Sequence, residues 1–444
     1  MDLVRHRIVG FGLLIVASLF SAHVFAEEPS AAVGRLTLQE AVETALGHHP
    51  SLLAARGTLQ VQQARVGQAR ANLFPQIDLK SDYTRSTANF APSSQSRSLN
   101  QTVTSDPSNS AYNNYSAGVS LEQLIYDFGK TGAVVESARE NLRGSDLSEA
   151  ASRQTVAVNA KVAYFGLLAA RRLVQVEEET VRQFEQHLEQ VLGFYKAGTR
   201  ARFDITKAEV DLTNARLDLI KARNTNEVAR ITLTNVMGVP DRPIAELEDL
   251  LSFKKVEISE DQAVQAALTN RPELLSLSAQ RRAAEASVRS AQRNHFPVLS
   301  GIADYTYRGE EFPLVWNWDA GLSLTFPIFS GNLTQSQVAE ARANLVVIGA
   351  NEESLRQNVI LEVHQVLSSL KEAEERVQTS EVVVRQAEEN LDLANGRFVA
   401  GLGASVERTD AQVLLTNAKT TQLQALYDYR TAEARLQKAM GQGE

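Results

Sequence analysis

A sequence that contains one unit twice must be explained as two copies of a fold, and this chain repeats itself. Ala41, Ala45, Leu46, Pro50, Leu52, Phe74, Pro75 and Tyr83 recur as Ala263, Ala267, Leu268, Pro272, Leu274, Phe296, Pro297 and Tyr305, at a constant offset of 222. Beyond Tyr83 the offset changes. Ala117, Gly118, Ser120, Leu121, Leu212, Asn214, Met237 and Gly238 recur as Ala320, Gly321, Ser323, Leu324, Leu415, Asn417, Met440 and Gly441, at an offset of 203. One loop of the first copy is therefore 19 residues longer than its counterpart. That loop, Ser86 to Tyr115, is rich in Ser, Asn and Thr and has the composition of a solvated segment.

Two periods alternate within each copy. From Val359 through Val363, Leu370, Val377 and Leu391 to Phe398, apolar positions follow the 4-3 spacing of a coiled-coil seam. The seam recurs from Val156 to Tyr195, with a polar interruption on the same rung, Ser380 in one copy and Glu177 in the other. Traced back towards Gly129 and Gly331, each helix runs roughly 65 residues, about 100 Å at 1.5 Å per residue. Each ends in a small-residue turn, Lys196-Ala197-Gly198 or Val399-Ala400-Gly401, where glycine suits a left-handed cap. A second helix then returns to Met237 or Met440.

Ahead of these helices the period is two. Ile77, Leu79, Ser81 and Tyr83 alternate with polar neighbours, as do Trp316, Trp318, Ala320, Leu322, Leu324 and Phe326. Counting the matching copies, strands are expected near 76–86, 115–124, 298–308 and 316–326, each of the length a tilted membrane strand needs. Phe-Pro at the helix-to-strand junctions fits, since proline ends a helix and is tolerated where a strand begins. Trp316 and Trp318, with Tyr305 and Tyr307, form a candidate aromatic girdle, and Trp316, Trp318, Leu322 and Leu324 a candidate lipid-facing strand. Four strands cannot close on themselves, and unpaired amides in lipid cost several kcal/mol each, so a barrel requires several chains.

The remaining features narrow the class. Arg5 and Arg7 precede an apolar run, Ile8 to Phe20, and a small-residue site at Val24-Phe25-Ala26, the pattern of a signal peptide cleaved after Ala26. Without Asp2, Arg5 and Arg7 the chain keeps 43 basic against 52 acidic groups. Such an acidic, interspersed balance excludes nucleic acid as a partner. The chain has no cysteine, so neither a disulfide scaffold nor an acylated N-terminal thiol is available. Gly129-Lys130-Thr131 matches the end of a phosphate loop, but Leu124 stands where its first glycine is required. His48-His49 has no second ligand pair, His187, His295 and His364 are isolated, and no nucleophile, base and orienter can be assembled. No cofactor, metal or enzymatic activity is expected.

These residues resemble a known family. Ala-Gly-Leu-Ser-Leu-Thr-Phe-Pro-Ile-Phe at 320–329, Arg-Phe-Val-Ala-Gly at 397–401, Asp410-Ala411 and Asn417-Ala418-Lys419 look like the TolC-type outer-membrane efflux proteins. The resemblance implies an α+β membrane protein with two tandem repeats of helix, strand, strand, long helix and helix, over 27–240 and 258–444, joined by an equatorial linker at 241–257. It implies a homotrimer with a twelve-stranded β-barrel in the lipid of a Gram-negative outer membrane, continued into the periplasm by an α-helical coiled-coil barrel. Such a duct pairs with a periplasmic adaptor protein and an inner-membrane pump in tripartite efflux.

The same resemblance marks the tips. Glu407 and Asp410 fall on the family's acidic ring at the periplasmic entrance. Their i, i+3 spacing puts them on one helix face, and on spacing alone that is equally a solvated face. The tip gate falls on Asp204, Lys207, Phe398 and Gly403. Asp204 matches a lock residue, whereas Lys207 does not repeat the second acid. Phe398 and Gly403 lack the hydroxyl and guanidinium that latch the best-known member, so Arg200 or Arg202 is expected to serve Asp204 instead. Adaptor docking falls on Ala197, Gly198, Thr199, Ala400, Gly401 and Leu402. The alternative from another class is a pore-less periplasmic coiled-coil scaffold or adaptor, which explains the seams but not four amphipathic strands.

Overall fold

A computed structural model describes residues 35–87, 111–244 and 246–443, so the expected signal segment and most of the long polar loop lie outside the described residues. The chain runs β1 (Arg35–Leu36), α1 (Leu38–His48), α2 (Pro50–Ala71), β2 (Gln76–Thr87), β3 (Ala111–Tyr126), α3 (Lys130–Lys196) and α4 (Arg202–Val236). It continues through β4 (Glu246–Leu247), α5 (Glu260–Asn270), α6 (Pro272–Arg293), β5 (Val298–Gly309), β6 (Val315–Thr325), α7 (Leu333–Val399) and α8 (Ser405–Ala439). Equivalent helices have equal lengths: 11 residues for α1 and α5, 22 for α2 and α6, 67 for α3 and α7, and 35 for α4 and α8.

Local chemistry sets these boundaries. Pro50 and Pro272 open α2 and α6, where a missing N–H costs nothing. Ser259 and Gln262 form a capping box at α5, and Thr37 accepts from the Glu40 N–H at α1. At the hairpin tips Gly198 and Gly401 take φ of +78° and +73°. The N–H groups of Gly198 and Thr199 bond the carbonyls of Tyr195 and Phe194, and Gly401 and Leu402 repeat the pattern on Phe398 and Arg397. Both turns are Schellman closures, satisfying carbonyls that a helix end leaves bare.

The seams are the interior of the two hairpins. Val359, Val363, Leu370, Val377, Leu391 and Phe398 are buried, as are Val156, Ala160, Leu167, Val181 and Val191. Alanines on the returning helix, Ala208, Ala215 and Ala222 on α4 and Ala411 and Ala418 on α8, admit the larger seam side chains. On the polar rung the Ser380 hydroxyl donates to Val377 O at 2.8 Å, while burial, aided by Asp218, raises the pKa of Glu177. Tyr195 departs from the expectation: at the end of its seam it is 43% exposed, where its counterpart Phe398 is 1% exposed. The tips are where the two copies stop being alike.

Midway along the hairpins, β1 and β4 pair in parallel. The buried Tyr164 hydroxyl lies 3.0 Å from Leu36 O and 2.9 Å from Glu248 O, and the Tyr429 hydroxyl donates to Lys254 O at 2.6 Å. Each hairpin is thus pinned to the segment that connects the two copies. Burial pushes the Tyr164 hydroxyl up to about 12, so it stays a donor at any physiological pH.

The other four strands form one antiparallel sheet in the order β2-β3-β5-β6. β3 begins at Ala111, within the segment expected to be a solvated loop, and pairs back to Thr87. Ladder bonds are made by the backbone, so a run of Ser, Asn and Tyr can extend a strand without apolar periodicity. Among the described residues no helix is long and apolar enough to cross a membrane.

Two glycines hold the copies in matching shapes. Gly238 and Gly441 have φ of +72° and +75°, and a Cβ there would lie 2.7 Å from His48 O and 2.7 Å from Asn270 C respectively. Gly238→Ala and Gly441→Ala are each expected to lower stability by about 1–3 kcal/mol. Gly57→Ala, on an α2 face with nothing within 4 Å, is expected to raise it by about 0.5–1 kcal/mol. Thermal melts of the three variants against wild type measure both signs.

Candidate functional site

The strand register assembles a continuous apolar face. Ile77 faces Leu121, which faces Ala303, which faces Ala320; Leu79 faces Val119, then Tyr305, then Trp318. Tyr307 and Trp316 pair one rung further towards the loops, and Leu322 and Leu324 lie on the same face towards the helices. Among the described residues no element covers this face: Leu79 is 79% exposed, Leu322 72% and Leu324 67%, with Trp316 and Trp318 exposed as well. No soluble monomer leaves such a face bare.

Aromatic rings mark both ends of this face. At the loop end Tyr83 lies 5.0 Å from Tyr115, and Tyr305 stacks on Trp316 at 6.2 Å. A second belt, which periodicity does not announce, lies at the helix end, where Tyr126, Phe128 and Phe296 contact at 4.8 and 5.2 Å. Phe74, Phe326 and Phe329 are exposed at the same level. Phe74, Phe296 and Phe326 stand in Phe-Pro junctions, so the helix stops also supply rings to this belt. Tyr83 lies nine positions after Phe74, about 30 Å along a strand, or roughly 25 Å at the usual barrel tilt. That is the height of a hydrocarbon band between two interfaces.

The opposite face is largely polar, interrupted by Tyr112, Leu124, Val298, Ile302 and Val315. One rung runs Asp78, Ser120, Asp304, Asp319 across all four strands. Like charges on facing positions weaken a sheet, so this rung is tolerated where water screens it. Single-strand alternation places these aspartates on a polar face but gives no hint that they share a rung, because register is not encoded in any one strand.

At the hairpin tips the expected residues are distributed as follows. Glu407 and Asp410 are exposed on the first turns of α8, and Glu407 pairs with Arg397 of α7 at 2.9 Å. Lys207 is held by Asp211 at 2.5 Å, one turn along α4. The expected partnership of Asp204 is corrected: among the described residues no ion pair joins Asp204 to Arg200 or Arg202. Arg200 crosses to the other hairpin instead, donating to Gly403 O at 2.7 Å with its guanidinium carbon 5.0 Å from the centre of the Phe398 ring. Phe398 is buried against Phe194 and His187. Lacking a hydroxyl, it gains more by burial than by reaching towards water. Ala197, Gly198, Thr199, Ala400, Gly401 and Leu402 form two exposed turns, with Leu402 77% exposed.

Around His187 sits a polar junction that sequence treated as one isolated histidine. The imidazole Nε2 lies 2.9 Å from Ser405 Oγ, Asp211 Oδ2 accepts from Thr409 at 3.2 Å, and Thr180 meets Thr416 at 2.9 Å. All three bonds run from the first hairpin to the second. No group of three or more metal-ligating side chains occurs among the described residues.

Comparison with known proteins gives this architecture its context. The family model described as "Outer membrane efflux protein" matches residues 41–239 and 263–442. The chain is 24% identical over 422 residues to the outer membrane protein TolC of Escherichia coli, covering 91% of this chain and 82% of TolC. It is 23% identical over 427 residues to the probable efflux pump outer membrane protein TtgC of Pseudomonas putida, covering 91% and 83%. Among solved structures, the CmeC outer membrane channel of Campylobacter jejuni superposes with a TM-score of 0.79 at 19% identity, over 91% of this chain and 86% of that one. With both of its halves matched, the chain belongs to the outer membrane efflux protein family, and its place of work is the outer membrane.

Proposed function

We propose that three copies of this chain close into a passive outer-membrane exit duct, with twelve strands in the lipid and six helical hairpins forming a tunnel in the periplasm. The observation that carries this reading is the four-stranded sheet: bare and apolar on one face, polar on the other, with β2 and β6 each left with one edge unpaired. In lipid such edges are tolerated only when paired, and β6 of one copy meeting β2 of the next supplies the partner. Apolar side chains outside the seams support a multi-chain assembly in the same way. Val210, Leu217, Ile220, Val228 and Ile231 line one exposed side of α4, and Val346, Val347 and Leu361 are exposed on α7.

On this reading 27–240 and 258–444 are two repeats of one unit, with the equatorial linker at 241–257 between them. The turns at Ala197-Gly198-Thr199 and Ala400-Gly401-Leu402 dock a periplasmic adaptor, and an inner-membrane pump supplies the energy. Glu407 and Asp410 ring the entrance, gated beside Asp204, Lys207, Phe398 and Gly403. A pore-less scaffold has no use for an exposed apolar sheet and is not favoured.

The assembly is tested by purification from membranes in detergent. A heat-labile oligomer that opens channels in planar bilayers is expected; a water-soluble monomer sinks the reading. The chain's two tryptophans, Trp316 and Trp318, report depth. In vesicles their fluorescence is expected to be quenched more by lipid brominated near the headgroup than by lipid brominated near the chain terminus.

Two rings compete to set cation preference, the tip acids and the Asp78, Asp304, Asp319 rung. Arg397 offsets Glu407 at 2.9 Å, so Asp410→Asn is expected to shift the reversal potential in a salt gradient more than Glu407→Gln does. A preference that survives the double variant and falls in Asp78→Asn, Asp304→Asn, Asp319→Asn assigns it to the barrel.

A further inference from the structure

The junction between the hairpin tips contains a titratable group with no way to hold its charge. His187, on α3, is fully buried, and its Nδ1 has no hydrogen-bond partner among the described residues. The groups around it come from every element packed there. α8 presents the Ser405 hydroxyl and Arg408, which is 2% exposed, bonded to Asn395 and joined to no carboxylate among the described residues. α4 presents Lys207 and Asp211, the turn between α3 and α4 presents Arg200, and α7 presents the face of Phe398. The single carboxylate, Asp211, is already bound by Lys207 and Thr409. Three cations therefore surround the imidazole against one committed anion.

From this geometry we infer that His187 makes the contact between the two hairpins acid-sensitive: a proton on its imidazole parts the first hairpin tip from the second. Protonation would add a buried N–H with no acceptor and a fourth positive charge, both relieved only when water reaches the ring. Burial, reinforced by Arg408, Lys207 and Arg200 and opposed by Asp211, lowers the imidazole from 6.5 to about 4 while the tips are joined. Once exposed, the ring returns to its ordinary value. A group depressed in the closed state contributes its full stabilisation above about pH 6.5 and loses it as the pH falls towards 4. At pH 5.5 the parted population is expected to be about tenfold its value at pH 7.5. In the exit-duct reading, on which only this last link rests, parting of the tips widens the entrance.

The chain has no cysteine, so Lys196→Cys and Leu402→Cys place one spin label on each exposed tip of the full-length protein. Labelled copies are diluted with unlabelled ones so that only distances within a chain are read. The longer-distance population is expected to rise about tenfold between pH 7.5 and 5.5, and to be pH-independent in His187→Gln, which keeps a neutral partner for Ser405. Arg408→Met, which removes the nearest buried cation, is expected to weaken the response, because the closed state then accepts the proton more readily. An unchanged response in His187→Gln, or none in wild type, overturns the inference. Acid-driven parting without any rise in bilayer conductance would support the junction and count against the duct.

Discussion

Backbone pairing across the sheet is the constraint from which the rest follows. Register decides which side chains share a face. Here Ile77, Leu121, Ala303 and Ala320 line up on one rung while Asp78, Ser120, Asp304 and Asp319 line up on the next. A slip of one residue in β2, β5 or β6 would exchange aspartate and leucine between the two faces. The bulge in β3 between Leu124 and Tyr126 lies at the helix end of the sheet, outside that band. Given this register, the outer edges of β2 and β6 have no partner among the described residues, and the proposed assembly supplies one. Oligomerisation, the long helical extension and the family likeness are consistent with one another because each needs the same sheet.

Much of the fold was legible because duplication and periodicity are written locally. The offsets of 222 and 203 carry α1 onto α5, α2 onto α6, β2 onto β5, α3 onto α7 and α4 onto α8. The 4-3 spacing from Val359 to Phe398 reads directly as a buried seam. What could not be read depends on which side chain finds which partner across 200 residues of chain. Tyr195 sits on the seam by count yet is exposed, whereas Phe398, behind the same kind of turn, is buried. Arg200 was expected near Asp204, its neighbour in sequence, but a carbonyl and an aromatic face on the other hairpin offer it a bond and a stacking surface together. The aromatic belt at Tyr126, Phe128 and Phe296 was hidden because three separate segments supply it.

The two copies have diverged where they face solvent and have stayed alike where they pack. Gly238 and Gly441 touch the backbone at equivalent places, and both seams keep a polar rung at Glu177 and Ser380. At the tips the likeness ends. The first hairpin carries Arg200, Arg202 and Lys207, while the second carries Glu407 and Asp410.

The pinned midpoint has a mechanical consequence. Tyr164 and Tyr429, helped by Arg172 and Arg430, tie each hairpin to the connecting segment, and beyond Tyr164 the last 32 residues of α3 extend about 50 Å. A coiled-coil lever of that length turns a tilt of about 5° at the fulcrum into a sideways swing of about 4–5 Å at its free end. Motion too small to disturb core packing at the midpoint is therefore amplified to several ångströms at the hairpin tips.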